Sequence, residues 1–127
     1  MRSPFPLLLT AVVGLFGVAC GGHLPGDACT MEGSAVCQTA TDALECRTGV
    51  FRAVPCKGPG GCVTTSTEIQ CDLSGNQVGD ACFFMDEGKG KCDASKSFLD
   101  VCMSGVYTHG ADCANGCTET ATTVTCN

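Results

Sequence analysis

The chain has 127 residues, thirteen of them cysteine and none tryptophan, with seven basic against thirteen acidic side chains and a net charge of −6. That balance disfavours nucleic acid and anionic membrane surfaces as partners. The acids are scattered, and no D-x-[DN]-x-[DN]-G calcium loop is present. So many cysteines in so short a chain point away from a reduced cytosolic domain and towards a disulfide scaffold in an oxidising compartment.

Residues 1–19 carry one charge, Arg2, followed by the apolar run from Phe5 to Ala19. A bilayer-spanning helix needs about 20 apolar residues, and this run is shorter, so it reads as a secretory signal peptide. Its removal leaves six basic against thirteen acidic residues and a net charge of −7. The leader ends in Gly17-Val18-Ala19 and is followed by Cys20 and Gly21. Val18-Ala19-Cys20-Gly21 resembles the lipidation motif of bacterial lipoproteins, with Gly17 where that family usually has leucine. The resemblance implies a diacylglyceryl thioether on Cys20, an amino-terminal acyl chain such as palmitate, and attachment to the membrane through that lipid. Gly17-Val18-Ala19 also suits an ordinary small-x-small cleavage site, which would leave a secreted soluble chain. Parity favours lipidation, because twelve cysteines can pair among themselves and an unmodified Cys20 would be left as an odd exposed thiol.

Those twelve cysteines make up about 11% of the residues beyond Cys20, a disulfide-framework density. They fall into two sets of six. Cys29, Cys37, Cys46, Cys56, Cys62 and Cys71 form the first; Cys82, Cys92, Cys102, Cys113, Cys117 and Cys126 form the second. Other residues recur in register with them. Gly26-Asp27-Ala28-Cys29 returns as Gly79-Asp80-Ala81-Cys82, Glu32-Gly33 as Glu87-Gly88, and Cys46-x-x-Gly49-Val50-Phe51 as Cys102-x-x-Gly105-Val106-Tyr107. An internal duplication accounts for these matches. The expected organisation is a signal peptide over 1–19, a lipid-anchored tether over 20–25, cysteine-rich repeats over 26–72 and 79–127, and a polar linker over 73–78. Units of this size bury too little apolar surface to fold unaided, and three disulfides apiece supply what the cores lack.

The expected fold class is small, disulfide-rich and mostly β or irregular, with two tandem domains of short β-hairpins. Ala43–Cys46 and Val50–Val54 flank a turn around Gly49, and Phe98–Cys102 and Val106–Thr108 flank one around Gly105. A further strand is expected near Ile69 and near Val124, and no segment has sustained helical periodicity. A tight turn places Cys46 opposite about Val50, so Cys56 lies roughly 20 Å further along at strand rise, too far for a disulfide. Cys46 is therefore expected not to bond Cys56, nor Cys102 to bond Cys113. Cys62 with Cys71 is an arch-closing candidate, and the remaining connectivities stay open.

No constellation names a reaction. The chain has no Ser/His/Asp order, nucleophile elbow or phosphate loop, so no enzymatic activity is expected. C-x-x-C pairs are absent and the only histidines are His23 and His109, so no structural zinc, other metal or cofactor is implied. His109 reads as an exposed strand residue. Phe51 and Tyr107 occupy matching places and read as packing of small cores, with aromatic platforms for sugar or peptide as the alternative. The segment from Cys46 to Phe51 followed by Cys56 resembles part of the peritrophin-type chitin-binding modules, which implies glycan binding. A protease inhibitor is the competing class, with Arg47, Arg52 and Lys57 as candidate specificity residues.

Leader, Cys20 and paired six-cysteine sets together resemble uncharacterised cysteine-rich tandem lipoproteins of predatory soil bacteria. That resemblance implies a cell-envelope location, at the outer membrane or cell surface, and assigns no activity. The expectation is an anchored extracytoplasmic binding or structural module whose partner is a protein or glycan, not nucleic acid.

Overall fold

The computed structural model describes residues 22–127. The leader and the lipidation candidate Cys20 lie outside these residues. Within them the protein is a small disulfide-rich β fold in two halves, each held by three disulfides.

Each half has a three-stranded antiparallel sheet and a separate two-stranded ribbon. In the first half the sheet is β1 (Ala35–Cys37), β2 (Asp42–Arg47) and β3 (Val50–Pro55), and the ribbon is β4 (Cys62–Thr64) with β5 (Ile69–Cys71). In the second, the sheet is β6 (Gly90–Cys92), β7 (Phe98–Met103) and β8 (Val106–Asp112), and the ribbon is β9 (Cys117–Glu119) with β10 (Val124–Cys126). One 3₁₀ turn, Phe84–Asp86, is the only helical element among the described residues.

The sheet hairpins close through two-residue turns. Thr48 and Gly49 have φ of 53° and 83°, and Ser104 and Gly105 have 53° and 78°. Two successive positive φ values make the type I′ geometry whose twist matches the flanking strands. The tight loop moves the expected register by one residue: Cys46 faces Phe51, and Arg47 faces Val50. A carboxylate seals each turn. Glu32 accepts the Thr48 N–H, and Glu87 accepts those of Ser104 and Gly105; these two bonds, led by the one from Ser104, hold the Glu87 carboxyl below the usual range. Asp27 and Asp80 close preceding turns by accepting the N–H groups of Leu24 and Gln77. The residues that recur along the chain are thus the ones that close turns.

The disulfides follow one scheme in both halves. Cys29 bonds Cys46, Cys37 bonds Cys62 and Cys56 bonds Cys71; Cys82 bonds Cys102, Cys92 bonds Cys117 and Cys113 bonds Cys126. Cys46 and Cys102 bond backwards to the segment before their sheets, leaving Cys56 and Cys113 to other partners. The arch-closing candidate does not form. Cys62 and Cys71 are register neighbours across the β4–β5 ribbon, but each bonds out of it, tying the ribbon to β1 and to the end of β3.

Unequal spacings have local causes. The step from Cys102 to Cys113 is one residue longer than that from Cys46 to Cys56. β8 takes up the excess as a bulge: Leu99 faces Ala111 and Asp100 faces His109, leaving Gly110 between them. A Cβ there would lie 2.6 Å from Val101 Cγ2, so only glycine fits without displacement. Conversely, the loop from Lys57 to Gly61 is longer than its counterpart Ala114–Gly116, and it folds against residues 72–76. Gly60 N–H donates to the Asp72 carboxylate and Lys57 N–H to the Asn76 side chain.

Alternation along β2 sends its residues to two cores. Leu44 and Cys46 pack with Phe51, with Cys29 and Val36 against them. Ala43 packs on the other face with Val54, Cys56 and Cys62, and Phe83 from the second half completes that cluster. The segment 73–78, expected as a linker, carries fully buried Asn76, whose side-chain amide donates to Pro55 O. The halves therefore share a core and a hydrogen-bonded junction.

Candidate functional site

The junction is built from residues that differ between the halves. Glu45 and Arg52 face each other across β2 and β3, where β7 and β8 place Val101 and Thr108. Glu45 is 1% exposed. Its Oε2 accepts from Arg52 Nε and Nη2 at 3.2 and 2.8 Å. Its Oε1 accepts the Phe84 N–H of the second half at 2.5 Å. Arg52 reaches the same half, donating to Gly105 O at 2.9 Å and to Cys82 O. Such a desolvated pair needs every lone pair and N–H satisfied to offset its desolvation, and the main chain of the second half supplies what the pair itself does not.

The reciprocal exchange lies on the other side. Where β1 and β2 place Val36 opposite Leu44, β6 and β7 place Lys91 opposite Asp100. Lys91 is buried, donates to Asn76 O and lies 5.1 Å from the Tyr107 ring centroid. Outside this, Lys57 Nζ bonds Asp80 at 2.7 Å. Burial opposes ionisation of Asp80, but the bonds from Lys57 and the Gln77 N–H outweigh it and keep its carboxyl below the usual range.

Docking the halves this way leaves a groove of about 680 Å³ between them. One wall is the β4–β5 turn with Thr67 and Glu68; the other is the 3₁₀ turn with Phe84, Met85 and Asp86. Ile69, Leu73 and Phe83 supply apolar surface, and Glu32, Glu45, Glu68 and Asp86 also line the groove, which has no Lys, Arg or His in its lining. Phe84 and Met85 are 54% and 74% exposed. Exposed large apolar side chains beside an apolar floor mark a contact surface more often than isolated surface hydrophobes do. The matching place in the second half, between Gly88–Gly90 and Thr122–Val124, has no such wall and is polar.

The residues singled out in the sequence fall elsewhere. Phe51 and Tyr107 are 7% and 4% exposed, so the platform alternative is corrected: buried rings offer no face to a sugar or peptide. Phe51 is covered by the His23 ring at 4.6 Å. Tyr107 lies among Cys82, Cys102 and Leu73, and burial, with Asp86, Glu119 and Asp100 nearby, raises its hydroxyl pKa. His109 is half-exposed, 3.0 Å from Asp112 and edge-on to Phe98. Arg52 is held in the junction, Lys57 by Asp80, and Arg47 by Glu32 with its guanidinium over the Phe84 ring. The twelve cysteines beyond Cys20 are all in disulfides, and among the described residues no group of three or more His, Cys, Asp or Glu is placed to hold a metal.

Sequence reasoning missed the groove and the ion pair. A signal was present: Glu45 interrupts an apolar strand segment, and Arg52 lies seven residues on across a hairpin. The groove had no comparable signal, since its walls are 32 to 86 in sequence and meet only when the halves dock. Among the described residues no helix is long and apolar enough to cross a membrane. Compared with known proteins, the chain matches no family model, no curated protein and no solved structure.

Proposed function

We propose that this chain is a cell-envelope lipoprotein, anchored through Cys20 after removal of residues 1–19, whose two halves are copies of one six-cysteine unit serving as a rigid extracytoplasmic binding module. The groove between the copies is its binding site, and its occupant is an apolar, positively charged segment of another polypeptide. The observation that carries this reading is the pairing of exposed Phe84 and Met85 with Glu68 and Asp86 on the two walls and no lining cation, Glu32 and Glu45 being already paired with Arg47 and Arg52. Apolar contact supplies affinity, and Glu68 and Asp86 select the sign of the flanking charge. A polypeptide is favoured over a glycan because Phe84 has Arg47 across one face and Phe51 and Tyr107 are buried.

Two measurements test the two parts. Intact mass spectrometry of the purified chain should show acylation at Cys20 and the loss of twelve hydrogens for six disulfides; an unmodified amino terminus rejects the anchor. A photo-crosslinking residue replacing Met85 in intact cells should give a discrete adduct that Phe84→Ser abolishes, with none from the same residue replacing Met103. Equal labelling at both positions, or none at Met85, rejects the groove.

A further inference from the structure

The fold begins almost at the anchor. The His23 ring lies 4.6 Å from Phe51, Leu24 N–H donates to the Asp27 carboxylate, and Gly26 N–H donates to Phe51 O. The four-residue step from Cys20 to Leu24 spans at most about 14 Å when fully extended. The polar layer on each side of a bilayer takes up roughly 5–8 Å of that reach. A module tied this closely cannot stand clear of the surface.

What it presents there is apolar. Leu24, Met31 and Val50 are 59%, 70% and 43% exposed. Val50 opens β3 at the hairpin turn, and Leu24 and Met31 lie in the preceding segment, which is bonded to that end of the hairpin through Gly26 N–H to Phe51 O and Gly33 N–H to Cys46 O. Exposed Ala28 bridges to Val50, and Cys29 N–H donates to Gly49 O. Asp27 is engaged with Leu24 N–H, and Glu32 with Thr48 N–H and Arg47, so the acids at this end are already engaged within the protein.

We infer that the Leu24, Ala28, Met31 and Val50 end of the first half rests in the interface of the membrane that holds its own lipid, fixing how the module faces outward. This rests on acylation of Cys20. The seat needs little affinity of its own, since the anchor supplies the local concentration. No free cation lies in the patch, so contact is with acyl and glycerol groups and not with anionic headgroups.

The protein has no tryptophan, so one introduced at Met31 is the sole indole. Full-length Met31→Trp, purified in its mature form and reconstituted into vesicles of brominated phosphatidylcholine, should lose at least half its emission relative to unbrominated vesicles and shift to the blue. Val50→Trp should do the same, and Phe98→Trp, in the second half, should do neither. Acylated protein that floats with the vesicles but shows no selective quenching at Met31 and Val50 overturns the seat and leaves the anchor standing. An unacylated amino terminus by mass overturns both.

Discussion

Single residues at the junction carry more than their share of the structure. Arg52→Ala leaves the Glu45 carboxylate buried with only the Phe84 N–H and, at 3.9 Å, the Arg47 guanidinium as partners. Breaking a buried pair from one side costs about 3–5 kcal/mol, whereas apolar replacement of both partners is often near neutral. We expect Arg52→Ala to lower unfolding stability by about 3 kcal/mol, since Arg52 retains some exposure. The double change Glu45→Val with Arg52→Thr, which copies Val101 and Thr108, should recover part of that loss. Denaturant titration measures both, and a double variant worse than Arg52→Ala would contradict the account. Glu45 also shows why this residue was hard to read in the sequence. A lone acid in a strand looks like a solvent-facing position, and only the apposed main chain of Phe84, thirty-nine residues away, makes it a buried acceptor.

The hairpins show the same dependence one level up. Both turns were legible as turns because glycine recurs after each central cysteine, and both need the left-handed conformation that glycine adopts at little cost. Their surroundings differ. A Cβ on Gly49 would meet nothing within 4 Å, whereas one on Gly105 would lie 2.9 Å from Arg52 Nη1. Gly49→Ala should therefore cost only the conformational term, about 1–2 kcal/mol. Gly105→Ala should cost more, because it also pushes Arg52 from its carbonyl partners. Comparable losses for the two variants in denaturant unfolding would mean that the second turn does not dock as described. The three-residue strands β1 and β6 were not legible: Ala35–Cys37 and Gly90–Cys92 have neither the length nor the alternation that marks a strand. They form because β2 and β7 offer a register to pair with and because Cys37 and Cys92 are tied to the ribbons.

For the whole molecule, the shared core makes the two halves one cooperative body. Phe83 completes the first half's cluster, Asn76 is bonded to Pro55 and Lys57, and Lys91 reaches back to Asn76 O. Calorimetry of the oxidised protein should therefore record one unfolding transition, and Phe83→Ala should shift it down by about 3–5 kcal/mol of stability. Two resolved transitions in the unmodified protein would instead make the halves independent. The sequence alone specified a disulfide-built β fold in two six-cysteine halves, its glycine turns and the exclusion of Cys46–Cys56 and Cys102–Cys113 bonds, because cysteine order, glycine position and strand rise are local quantities. Tertiary structure decided the disulfide scheme, the burial of Phe51 and Tyr107, the ion pair and the groove. Each of these depends on which surfaces meet after the chain has turned back on itself, and that is a property of docked halves and not of neighbouring residues.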